Sequence, residues 1–220
     1  MPSLWRAFHS DMVQTLGRLQ IDLAPLPVDL ASGSAHKLHG PKGVGLLYVR
    51  EGVRLASLQQ GGMQERGLRG GTEPVAAIIG FAKALEIAYA QLQATQAHLQ
   101  GLKQHLINRL GEALPHVRLH GQAATPSESL PAIVNLGLPE GVDAQTLVLQ
   151  LSMRGIAAAS GSACMSGSAG PSHVLTALGL GQRPALRLSM SQHTTKAALE
   201  YTVAQLVEIC GRQGGSDTRG

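Results

Sequence analysis

Charge, aromatic rings and cysteine are all scarce in this sequence. Of 220 residues, 15% are charged and 3% are aromatic. So few aromatics leave no platform on which nucleic-acid bases could stack. The net charge of +4 and a pI near 9.4 come without any run of Lys or Arg that would follow a phosphate backbone. Nucleic acid is therefore not an expected partner. No apolar stretch is long enough to span a bilayer, so no membrane association is expected. The start, "MPSLWRAFHSD", lacks the apolar core of a signal peptide. The two cysteines, Cys164 and Cys210, lie too far apart for a CxxC metal site and are too few for a disulfide scaffold. These absences point to a reducing, cytoplasmic setting. A stable metal site is not expected either. His36 and His39 are close in sequence, but no carboxylate stands at ligand spacing beside them.

Apolar residues are plentiful at 44%, enough for a sizeable core. "WRAFHS", "VDLASGS" and "GVGLLYVR" read as short strands, and "LQQGGMQERGLRGGTEP" as a glycine-rich loop. One long helix is expected over 74–114, with Pro74 in its first turn. Its buried stripe would be Val75, Ile78, Ile79, Ala82 and Leu85, with Gly101 at a bend and Gly111 at an end. "HVRLHG", "PAIVNLGL", "IAAAS" and "ALRLSMS" read as strands, and "PSHVLTALG" as a short helix. Asp143 is an expected N-cap for a helix that Gly155 stops. Thr195 is expected to cap a last helix with Leu199, Val203, Leu206, Val207 and Cys210 on its apolar face. The pattern is mixed α/β in two parts joined by the long helix, without an internal repeat. The end of the chain reads as a disordered polar tail.

Four places could carry chemistry. Lys37 follows the tiny residues of "SGSA" beside His36, and a neutral lysine forms Schiff bases with carbonyls. Ser34 and Ala35 are small enough to let a cofactor approach, and Ser34 and His36 can donate to a phosphate. A solvated loop lysine fits the same stretch. Lys42 in "GPKG" lacks the phosphate-loop pattern and reads as a turn lysine. Asp11 could hold a pyridinium nitrogen protonated with Gln14 close by, or could simply cap a turn. Cys164 stands among Ser, Gly and Ala in "SGSACMSGSAG", a segment too small-sided to pack a core, which suits a reactive thiol. Cys210 falls on a helical stripe and reads as core. Arg187 sits inside the apolar strand "ALRLSMS" and needs a partner, either a substrate carboxylate or an ordinary ion pair.

Taken in order, "DMVQTLGRLQIDL", "VDLASGSAHKLHGPKGVGLLYVR", "GGMQERGLRGGTEP" and "SGSACMSGSAGPSHVLTALG…ALRLSMSQHTT" resemble the cysteine desulfurase family. This is a class V branch of the fold-type I pyridoxal-phosphate enzymes, and the cysteine segment is similar to that of the long-loop group. The resemblance runs from Phe8 to Thr195. It implies an α/β fold: the C-terminal part of the large domain with its linking helix over 1–92, a small α+β domain over 93–212, and a tail over 213–220. It implies pyridoxal 5'-phosphate on Lys37, with Asp11 on the ring nitrogen, Gln14 on the ring oxygen, and Ser34 and His36 on the phosphate. Thr72 would reach the phosphate of a partner subunit, hence a homodimer. Cys164 would take sulfur from L-cysteine as a persulfide while Arg187 holds the substrate carboxylate.

Iron–sulfur assembly or tRNA thiolation would use that sulfur, through an acceptor or scaffold protein. Cys164 would be at most a transient iron–sulfur ligand. The family also carries a phosphate-binding threonine loop, a ring-stacking histidine and a ring-oxygen asparagine ahead of the position of Phe8. These are not in the sequence, so an N-terminally truncated, incomplete form is expected. Met63, Ser191 and Gln192 also depart from the family pattern. Another class V enzyme, a selenocysteine lyase or an aminotransferase, and a non-catalytic remnant that binds partners remain alternatives.

Overall fold

The computed structural model describes residues 7–121, 129–139, 141–160, 173–180 and 183–214; of 211–214 only the backbone is described. The chain forms two compact units, Met1–Ala94 and Thr95–Gly220.

The first unit is built on a three-stranded sheet of β1 (His9–Asp11), β2 (Leu30–Ser34) and β3 (Gly45–Val49), in that order. β1 and β2 run parallel, with Asp11 opposite Ser32, and β3 returns antiparallel with Gly45 opposite Ser34. Alternate residues of β2, Ala31 and Gly33, are buried, as the two-residue period of a strand requires. A Cβ on Gly33 would stand 2.7 Å from Leu16, and one on Gly45 2.6 Å from the carbonyl oxygen of Gly33. The small residues of this stretch therefore let the 12–16 turn and β3 pack onto β2. Ala35 is wholly buried in the same core. Its small side chain serves packing.

The long helix is two helices, α1 (Val75–Ala90) and α2 (Leu92–Ala113), separated at Gln91. Gln91 leaves helical geometry while its amide reaches the carbonyls of Ile87 and Tyr89. No Gly or Pro marks the break. Gly101, the expected bend, lies inside α2, and a Cβ there would meet nothing within 4 Å. The buried stripe of α1 is also displaced. Phe81 is buried and Ala77, Ala84 and Leu85 pack behind it, whereas Val75 and Ile79 are about 60% exposed (60% and 63%).

In the second unit β4 (Arg118–Leu119), β5 (Ile133–Gly137) and β6 (Ala185–Ser189) form an antiparallel sheet in that order. "IAAAS" contributes one bridge, Ala159 to Arg187, and not a full strand. Helices α3 (Ala144–Met153), α4 (His173–Ala177) and α5 (Lys196–Gly214) complete the unit. Asp143 caps α3, accepting from the Thr146 amide at 2.8 Å, and Gly155 follows in the left-handed region at φ +77°. Thr195 caps α5, its hydroxyl accepting from the Ala198 amide at 3.2 Å. Leu106, Leu147, Leu151, Val134, Leu136 and Leu186 form the centre of the core.

The α5 face differs from expectation at one edge. Leu199, Val203 and Leu206 are buried together with Ile209, while Val207 is exposed and Cys210 only half-buried, its thiol pushed up by desolvation. Arg109 on α2 donates to Glu200 on α5, and His105 Nε2 stands 2.7 Å from the same carboxylate; these neighbours, Arg109 foremost, hold its carboxyl below the usual range. Among the described residues no single helix is long and apolar enough to cross a membrane.

The position of Gly101 generates a direct prediction. Gly101→Ala adds a methyl to open space inside a helix, so it should stabilise the chain by about 1 kcal/mol in denaturant unfolding. A destabilised variant would mean that Gly101 bends α2 after all.

Candidate active site

Parallel strands end on the same side of their sheet, and in open α/β sheets that edge is where ligands bind. Here it holds Asp11, the last residue of β1, and Ser34, the last residue of β2. A single 3-10 turn, Ala35–Leu38, follows Ser34 and carries His36 and Lys37. Ala35 and Leu38 are buried and anchor it, His36 is exposed, and Lys37 is half-buried. His39 closes the turn in the left-handed region at φ 64°.

Ser34 and His36 are joined, Oγ to Nδ1, at 2.7 Å. Whichever group donates, the pair keeps one outward donor: Nε2–H if the serine hydroxyl donates, the hydroxyl if Nδ1–H donates. That donor set suits an anion. Asp11 Oδ1 accepts from the amide of Val13 at 2.8 Å, so this carboxylate caps the 12–16 turn. Its second oxygen has no hydrogen bond among the described residues and stays available to a ring N–H. Gln14, in the same turn, is exposed. Thr72 is exposed in the loop leading to α1, after Gly71 at φ +100°. Asp11, Ser34, His36 and Lys37 thus share one sheet edge, and their chemistry fits a phosphate-bearing aldehyde such as pyridoxal 5'-phosphate: an amine, an anion cradle and a carboxylate.

Arg187 belongs to the second unit. It is half-buried in the middle strand position of β6, and its guanidinium has no hydrogen bond or ion pair among the described residues. Its backbone bonds to Ala159 in both directions, at 2.6 and 3.1 Å. Opposite it on β5 stands Asn135, whose Oδ1 lies 2.9 Å from Nδ1 of buried His120. An arginine paired across the sheet with a polar residue has chemistry that suits a carboxylate. Cys164 lies outside the described residues, five positions along the chain from Ala159. Among the described residues no group of three His, Cys, Asp or Glu could hold a metal ion.

Two features of these sites were not read from the sequence. Arg18 donates from Nη2 to the carbonyl of Lys37 at 3.1 Å. Nothing in "TLGRLQ" marks that contact, because it spans 19 positions and depends on how the 12–16 turn lands on the sheet. The pairing of His120 with Asn135 likewise becomes visible only through strand register.

The chain belongs to the aminotransferase class-V family, which matches residues 6–201. Within that family its similarity is to proteins named cysteine desulfurase. Cysteine desulfurase IscS of Clostridium botulinum (strain Kyoto / Type A2) is 42% identical over 205 residues, covering 92% of this chain and 51% of that protein. A cysteine desulfurase of Klebsiella pneumoniae is 40% identical, covering 93% and 51%. Among solved structures, a NifS-like protein superposes with a TM-score of 0.81 at 35% identity, covering 94% of this chain and 53% of its own. A NifS-like protein from Rickettsia africae superposes with a TM-score of 0.82 at 29% identity, covering 92% and 53%. The chain therefore spans about half the length of the curated relatives it matches.

Proposed function

We propose that this chain supplies the lysine, thiol and carboxylate grip of a cysteine desulfurase, acting with the remainder of the fold as a homodimer. The net reaction is L-cysteine plus the Cys164 thiol giving L-alanine plus a Cys164 persulfide. The observation that carries this reading is the half-buried Lys37, one turn beyond the end of β2, beside the Ser34–His36 pair and at the same sheet edge as Asp11.

Lys37 would tether pyridoxal 5'-phosphate through its amine. When bound, the cofactor supplies an electron sink for charge at the substrate α-carbon. The Asp11 carboxylate would hold the ring nitrogen protonated and so deepen that sink. Gln14 would donate to the ring oxygen, and Ser34 and His36 to the phosphate. Thr72 would reach the phosphate of the partner subunit. Once the substrate amine has displaced it, Lys37 is free to take the α-proton and return a proton to the product. Arg187 would fix the substrate carboxylate with its two-pronged donor set. The Cys164 thiolate would attack the substrate sulfur. An S–S bond forms, the C–S bond breaks, and its electron pair stays with carbon, which is protonated to alanine. Sulfur would then pass to an acceptor or iron–sulfur scaffold protein in the cytoplasm.

The test is sulfide release from L-cysteine in the presence of thiol reductant, with this chain complemented by the remaining half of a relative as a separate polypeptide. Cys164→Ala should abolish release and leave the cofactor absorbance intact, whereas Cys210→Ala should change little. Sulfide release by Cys164→Ala at the parent rate would exclude the persulfide role. Transamination of L-cysteine independent of Cys164 would instead support an aminotransferase.

Arg187→Ala should weaken L-cysteine binding by roughly 2–5 kcal/mol, as expected when one member of a buried charge pair is removed. An unchanged KM for cysteine would mean that the substrate carboxylate is held elsewhere.

A further inference from the structure

The carbonyl of Lys37 lies near the end of a short 3-10 turn, where backbone acceptors lack partners within the turn. The closing amides of His39 and Gly40 are both spent on Ala35. Arg18 fills the gap from outside, with Nη2 donating to Lys37 O at 3.1 Å. The guanidinium is held there by the chain behind it. The 12–16 turn is closed by bonds from the Thr15 and Leu16 amides to Met12 O, at 3.0 and 2.8 Å, and the Arg18 amide bonds Thr15 O at 3.0 Å. Gly17 follows that turn at φ +69°, and a Cβ there would stand 3.1 Å from Ala88 and 3.4 Å from Leu38. The positive φ and the nearness of Ala88 favour glycine here, and the chain passes beside the Lys37 turn to deliver the next side chain onto it. Arg18 is half-buried, and desolvation pushes its pKa down, although a guanidinium remains charged.

We infer that Arg18 is a positioning residue for Lys37: its charge-assisted hydrogen bond fixes the peptide plane after Lys37 and so aims the amine along the sheet edge that bears Asp11 and Ser34. The contact is to backbone, so the lysine amine itself stays free to react. The bond also links the two segments that contribute to the site, because the 12–16 turn carries Gln14 and is capped by Asp11. Movement of that turn and movement of Lys37 are thereby coupled. The inference deepens the proposed function and rests on Lys37 being the aldehyde-binding lysine.

The chain has five lysines, Lys37, Lys42, Lys83, Lys103 and Lys196, and this supplies an internal comparison. The purified chain is incubated with excess pyridoxal 5'-phosphate and then reduced with borohydride. Each amine condenses with the aldehyde and loses water. Hydride then adds to the imine carbon and leaves a stable secondary amine, which peptide mass spectrometry quantifies at each lysine. The parent chain should label Lys37 in preference to exposed Lys42.

Arg18→Ala should lower labelling of Lys37 relative to Lys42 about tenfold, the order expected when a charge-assisted hydrogen bond is lost, while the thermal midpoint falls by only a few degrees. Arg18→Lys, which keeps a charged donor, should restore part of the preference. An unchanged Lys37:Lys42 ratio in Arg18→Ala, beside a clear preference in the parent, would overturn the positioning role alone. A parent chain without preference for Lys37 would overturn the reading of the site, and the role of Arg18 with it. A fall in the midpoint with the ratio preserved would mark Arg18 as a structural staple only, which also overturns the inference.

Discussion

The parallel pairing of β1 with β2 is the constraint on which the site depends. With Asp11 opposite Ser32, the chain leaves both strands at the same edge. A one-residue slip would turn each side chain of β1 to the other face. An antiparallel pair would send the carboxylate and the lysine turn to opposite ends. Gly33 lies under the Leu16 side chain and Gly45 against the backbone of Gly33, so the 12–16 turn and β3 approach β2 closely. The bond from Met12 N to Ser32 O extends the ladder one residue past β1 and fixes where the turn begins.

Energetically the two units differ. The second has a continuous core of leucine and valine from both its sheet and its helices, and it buries even Lys103, at 1% exposure, by giving its amine to Ser129 Oγ and Leu130 O. That cost is compensated by hydrogen bonds, and burial pushes the lysine pKa down. The first unit is thinner. Its core comes from short strands, one turn and one face of α1, while Val75, Ile78 and Ile79 face outward. Lys37 and the residues beside it thus rest on the thinner unit, where local devices such as the Asp11 cap, the Ser34–His36 pair and the Arg18 bond help to order them.

Much of this was legible in the residues. Asp143 and Thr195 were identifiable as caps because a side-chain oxygen stood before an apolar periodic run, and both make that bond. β3 and β5 were identifiable from β-branched and apolar runs flanked by turn residues. The break at Gln91 was not, since no Gly or Pro announces it. Gly101 and Gly111 misled because a glycine within a helix costs stability without ending it. The phase of α1 misled because its larger β-branched residues drew the stripe, while the actual inner face is Phe81 with small alanines. At the site, residue types were readable and their contacts were not. Lys37 stood out by its small neighbours, yet those neighbours serve strand packing. Arg18 gave no sign, being joined to Lys37 only through the fold.

The central claim is that sulfur leaves L-cysteine onto one particular thiol. It is tested most directly by incubating the chain and its complementing half with sulfur-35 L-cysteine and pyridoxal 5'-phosphate, then mapping peptides without reduction. The account predicts radioactive sulfur on the peptide that contains Cys164, alanine in equal amount to the sulfur transferred, and no label on Cys210. Alanine formed without label at Cys164, or label confined to Cys210, would contradict it.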